Sequence, residues 1–181
     1  MSNQVILWSL MILPWFTLYF MPKDARKRFM PVALLSIVIC ILFVEMGQTL
    51  GWFVWEEAAY PFKAPSYIFG ANTVATMWLF YFLYGRFWRY FAVDTILNFG
   101  FIYLFHVYYL GNRGIFHEVS LNPLLNVVYA NIISILLYGY QMWQEGVFER
   151  AETKSTSPSF ANLQPAATKP LTESHKDNDY E

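Results

Sequence analysis

Apolar positions come in long unbroken runs along this chain, and charges come in short clusters between them. Five runs stand out: about Val5–Met21, Val32–Trp55, Ser66–Gly85, Tyr90–Leu110 and Pro123–Trp143. The first, third and fifth hold no charge. The second is interrupted by Glu45 and Gln48, and the fourth carries Asp94, Asn98 and His106. A helix rising ~1.5 Å per residue needs about 20 apolar residues to cross a hydrocarbon core of ~30 Å, and these runs meet or approach that length. The first has no charged face that would lay it along a surface. Pro14 should kink it. Pro61 and Pro65 break any helix between the second and third runs, and Pro123 suits a helix's first turn, where its missing N–H costs nothing.

The pattern therefore predicts an all-α, polytopic membrane bundle of five transmembrane helices over residues 1–148. From Gln144 the character changes to Ser, Thr, Pro, Lys and Glu. Such a segment cannot bury enough apolar surface to offset the entropy of ordering it. Residues 149–181 are expected to form a disordered cytoplasmic tail.

Charge sets the expected orientation. Five crossings place Lys23, Arg26, Lys27, Arg28, Arg86 and Arg89 on one side with the tail, and only Lys63 and Arg113 on the other. Cytoplasmic loops carry the excess of Lys and Arg, so these six residues determine the topology. The N-terminus then lies outside and the C-terminus in the cytoplasm, in the cell membrane. The basic cluster follows the first run rather than preceding it, which suits an uncleaved span rather than a secretory signal.

Composition agrees and narrows the chemistry. The chain of 181 residues is 56% hydrophobic and 14% charged, where soluble domains average about 25% charged. A net charge of -1 gives no support for nucleic-acid binding. The single cysteine, Cys40, excludes an intrachain disulfide and a Cys-rich metal site. No HExxH, GxSxG or Gly-rich phosphate loop is present, and His106, His117 and His175 are scattered. No catalytic residue, metal or cofactor is assigned.

Polar residues inside the runs are the remaining candidates, because an ionisable group in a span is costly. At ~1.5 Å per residue, Glu45 and His106 come out at about 20 and 24 Å from the inner boundary. Gln48, Asn72, Asn126 and Asn131 reach similar depth, so four helices each bring a polar side chain to one layer. Two readings stay open: hydrogen bonds that fix helix packing, or a polar cavity in which Glu45 and His106 bind or relay a proton or cation. Asp94 reads as an interfacial residue at a helix start, within reach of Arg89. Gly47 and Gly51 form a GxxxG spacing that lets another helix approach closely.

Several strings together resemble an uncharacterised family of small multi-pass membrane proteins of endospore-forming Gram-positive bacteria. They are Ile12-Leu13-Pro14-Trp15, Lys27-Arg28-Phe29-Met30-Pro31, Gly47-Gln48-Thr49-Leu50-Gly51-Trp52, Tyr84-Gly85-Arg86-Phe87-Trp88 and Tyr138-Gly139-Tyr140-Gln141-Met142-Trp143-Gln144. The resemblance covers about residues 10–148. It implies a host membrane and no mechanism or site residue. The leading functional expectation is a non-enzymatic structural or accessory membrane component, whose partners are the lipid bilayer and other membrane proteins or a second copy of itself. The alternative is a small transporter or ion-conducting protein built on the polar layer.

Overall fold

A computed structural model describes residues 2–156 of the chain, with side chains to Gly146. Residues 1–145 form one compact unit; of residues 146–181, the described part is the end of the last helix. Among the described residues, helices are joined by short irregular connections and two three-residue strands. Five helices follow in order: α1 Asn3–Thr17, α2 Lys23–Thr49, α3 Thr73–Leu83, α4 Phe87–Gly100 and α5 Pro123–Thr156. A π turn, Ile68–Asn72, leads into α3, and a ten-residue π segment, Phe101–Leu110, prolongs α4. The strands are β1, Phe53–Trp55, and β2, Phe116–Glu118.

Four of the helical stretches are long and apolar enough to cross a membrane: Asn3–Phe20, Lys23–Thr49, Phe87–Arg113 and Pro123–Gly146. The other, Ile68–Leu83, is shorter. Helix boundaries depart from those of the apolar runs. The second helix begins at Lys23, so the basic cluster forms its first turns, and it stops at Thr49 rather than Trp55. Helix α5 continues to Thr156, into the segment expected to be disordered from residue 149. The rest of that tail, residues 157–181, lies outside the described residues.

Glycine explains where α2 stops. Gly51 adopts φ +66, and the Trp52 and Gly51 N–H groups return to the Gly47 and Gln48 carbonyls. This is a Schellman ending, which needs a left-handed residue just past the helix. Gly114, at φ +69, ends the α4 stretch the same way, with Ile115 N–H on Leu110 O and Gly114 N–H on Gly111 O. Each strand begins two residues after its glycine. The two exits pair antiparallel, Phe53 opposite Glu118, Val54 opposite His117 and Trp55 opposite Phe116. The strand pair thus ties the α2–α3 connection to the α4–α5 connection across one end of the bundle.

Apolar packing closes both ends. At the strand end, Leu7, Val44, Phe53, Ile68, Leu110, Ile115 and Phe116 form one buried cluster. At the other end, Phe29 and Val32 of α2 meet Phe80, Tyr90, Leu137 and Tyr138. There Arg28 pairs with Glu145 and lies 5.2 Å over the Tyr84 ring, linking α2 to α5 and to the end of α3. Helix α1 packs on the outside. A Cβ on Gly70 would collide with the carbonyl oxygens of Leu10 and Met11, so the π turn and α1 touch backbone to backbone. The Gln4 amide donates to Ala58 O at 3.1 Å and accepts from Tyr60 N–H at 3.0 Å, which fixes the start of α1 to the α2–α3 connection.

Candidate functional site

Between the two apolar ends, α2, α3, α4 and α5 surround a cavity of about 310 Å³. Each helix gives it an inward face. From α2 come Cys40, Phe43 and Val44. Asn72 and Thr76 come from the π turn and α3, Asp94 and Asn98 from α4, and Asn126, Ala130 and Ser134 from α5. All four thus repeat their inward positions at four-residue spacing, which keeps the side chains on one face.

His106 lies at the strand end of this cavity and is 5% exposed. Neither ring nitrogen has a hydrogen-bond partner. Aromatic rings surround it: Trp55 of β1 at 5.3 Å, Phe116 of β2 at 5.3 Å, Tyr67 at 4.8 Å and Phe101 at 4.7 Å. Rings placed edge-on or tilted to one another are favourable contacts, but they leave the imidazole's donor and acceptor unused. A buried polar group without a partner costs about 1–3 kcal/mol, and such a group calls for an explanation, such as a catalytic role or a bound water or ion. The two π segments meet here, with Tyr67 and Phe101 rings 5.3 Å apart. Such widened turns recur at functional sites.

Asp94, 6% exposed, lies toward the other end. It accepts a hydrogen bond from the Asn98 amide at 2.7 Å and has Ser134 beside it. No Lys or Arg lines the cavity. Asn72 donates to the Cys40 sulfur at 3.4 Å, and the Tyr90 hydroxyl donates to Ser134 O at 3.4 Å. Twelve residues separate Asp94 from His106, up to about 18 Å along a helix. The two cannot act on one bond as an acid–base pair, which requires hydrogen-bond reach of the same group. Among the described residues, no three His, Cys, Asp or Glu side chains gather as a metal site.

The predicted polar layer divides. His106, Asn72 and Asn126 line the cavity. Glu45 does not: it is exposed on the outer side of α2. Val44 and Gly47 are buried, and Glu45 and Met46 between them are turned outward by the 100° step of a helix. Gln48 is half-buried and outside the cavity lining. Asn131 turns to α4, where its side-chain oxygen accepts from the Thr95 hydroxyl at 3.1 Å. Gly47 does permit a close approach, but by the Phe53 ring and not by a helix. Gly51 serves the turn. The basic residues Lys23, Arg26, Lys27, Arg28, Arg86 and Arg89 gather at the end of the bundle opposite the strands.

Asp94, read from sequence as an interfacial residue at a helix start, is buried on the cavity wall. The signal for it was present. Asp94–Asn98 and Asn72–Thr76 are both polar pairs four residues apart on otherwise apolar helices.

Outside the helices, burial pushes the Glu118 carboxyl of β2 above its ordinary range. Comparison of the chain with known protein families, with curated proteins and with solved structures returned no match.

Proposed function

We propose that the chain is an integral membrane protein that crosses the bilayer five times and binds a small ligand in the cavity between α2, α3, α4 and α5, catalysing no reaction of its own. Four long apolar helices support the membrane placement. The charge distribution supports an external N-terminus and a cytoplasmic C-terminus in the cell membrane. The shorter Ile68–Leu83 stretch is read as the third crossing, because the connections on its two sides join helices that run in opposite directions.

The observation that carries the binding reading is His106, a buried imidazole with both nitrogens unused, on the wall of a space of ligand size. Ligand pockets span about 300–1,000 Å³ and combine an apolar wall with a few convergent polar groups. A role confined to packing would not need this space, since protein interiors are otherwise filled to crystal-like density. The reading places the chain with small carriers or ligand-sensing membrane components. A purely structural accessory is the other reading.

Native mass spectrometry of the full chain, purified in mild detergent from its own membranes, tests this. One small molecule per chain is expected, and Ala130→Phe, which fills the cavity, should remove it. A chain that carries nothing, and that no compound in a chemically broad panel stabilises against heat, overturns the reading. Stoichiometric capture of another membrane protein by that empty chain would favour the structural role.

A further inference from the structure

The cavity has a polarity along its length and an opening on its side, and together these describe what fits it. Its one carboxylate, Asp94, is buried and meets no cationic side chain on the cavity wall. Its protein partners, Asn98 and Ser134, are neutral. A buried carboxylate in apolar surroundings is stable when it is protonated or when a cation sits against it. Tyr90 lines the cavity beside it, and an aromatic ring attracts a cation that has shed its water. A metal ion fits poorly, because among the described residues no three His, Cys, Asp or Glu side chains gather around Asp94.

The opening lies between α3 and α4. These helices meet at the Gly85 turn and again at Tyr67 and Phe101. Midway, Ala75 and Leu97 are members of the lining and yet exposed. On the reading that the cavity binds a ligand, this side faces hydrocarbon. A guest that enters there must be soluble in lipid and still carry the charge that Asp94 lacks.

We propose that the cavity binds a lipid-soluble organic amine, admitted through the α3–α4 seam, with its ammonium against Asp94 and its body extending along the cavity. The ammonium N–H groups donate to the Asp94 carboxylate. The bilayer supplies the apolar body's route in, so no passage past the strand end is needed.

The test uses the full chain in detergent and three probes of one shape and three charges: 1-adamantanamine, 1-adamantanol and 1-adamantanecarboxylate. Affinity is read by isothermal calorimetry. The amine should bind at least about tenfold tighter than the alcohol, as expected for one charge-assisted hydrogen bond in a dry site. The carboxylate should not bind. Asp94→Asn, which keeps shape and hydrogen bonding with Asn98, should erase the preference for the amine, and Asp94→Glu should restore part of it. Leu97→Trp, which narrows the seam, should slow association of the amine by about tenfold or more. Binding of the alcohol or the carboxylate as tight as the amine overturns the amine proposal while leaving a ligand cavity standing. An Asp94→Asn chain that keeps the full preference also overturns it. Should none of the three bind, the amine proposal falls, and the co-purification experiment decides the cavity reading by itself.

Discussion

Single glycines set several of the contacts that define this molecule, and they do so for different reasons. At Gly70 the neighbours of a Cβ would be backbone carbonyls of α1, which cannot swing aside. Gly70→Ala is therefore expected to destabilise the folded chain by about 2 kcal/mol or more, read as loss of thermal stability in detergent. Gly139, within α5, has open space where its Cβ would go. Gly139→Ala should stabilise by about 0.5–1 kcal/mol, the ordinary gain from removing glycine's freedom inside a helix. The pair of substitutions separates packing from propensity. A Gly70→Ala chain as stable as the parent would refute backbone contact between α1 and the π turn.

None of that distinction was readable from sequence. Gly47 and Gly51 drew attention through their spacing, whereas Gly70, with no partner glycine, did not. The same limit applied to Glu45 and Asp94. On a helix that is apolar all round, the inward direction is not encoded by a hydrophobic stripe. It shows only in the register of the few polar residues, and for α2 that register was misleading because Glu45, with Gln48 and Thr49 at i+3 and i+4, lies off the face that lines the cavity through Cys40 and Val44. His106, Asn72 and Asn126 were placed by depth, which a count of residues does supply.

At the scale of elements, the two Schellman exits act together. Gly51 and Gly114 each hold a left-handed φ that an alanine would adopt at a cost of about 1–2 kcal/mol. Gly51→Ala and Gly114→Ala should each loosen the β1–β2 pair. Their effects on thermal stability should combine to less than their sum, because the second has less pairing left to lose. Strictly additive losses would mean that the strands do not depend on one another. Three-residue strands of this kind leave little trace in a sequence, since Phe53–Trp55 reads as the continuation of an apolar run. The five helical stretches were legible for the opposite reason: long uncharged runs have few other stable forms. The π segments had no sequence signal, as they differ from α-helix by one residue per hydrogen bond and not by composition.

For the whole molecule, the proposed topology makes a direct prediction. Cys40 is the only cysteine, so a Cys40→Ser background accepts single reporters. Ser2→Cys should react with a membrane-impermeant thiol reagent in intact cells, and Ser174→Cys should react only after the cells are opened. Labelling of both in intact cells, or of neither, would require an even number of crossings.

The shortness of the third helical stretch bears on the surrounding lipid. Ile68–Leu83 has sixteen residues, about 24 Å of helix, beside a hydrocarbon layer of ~30 Å. If α3 crosses the bilayer as proposed, acyl chains must compress or headgroups must dip to cover it, at fractions of a kcal/mol per Å of mismatch. On the proposed topology the membrane would be pinched next to the α3–α4 seam. Short-chain bilayers should relieve that stress and long-chain ones should raise it, so the chain would partition toward the thinner regions of a mixed membrane.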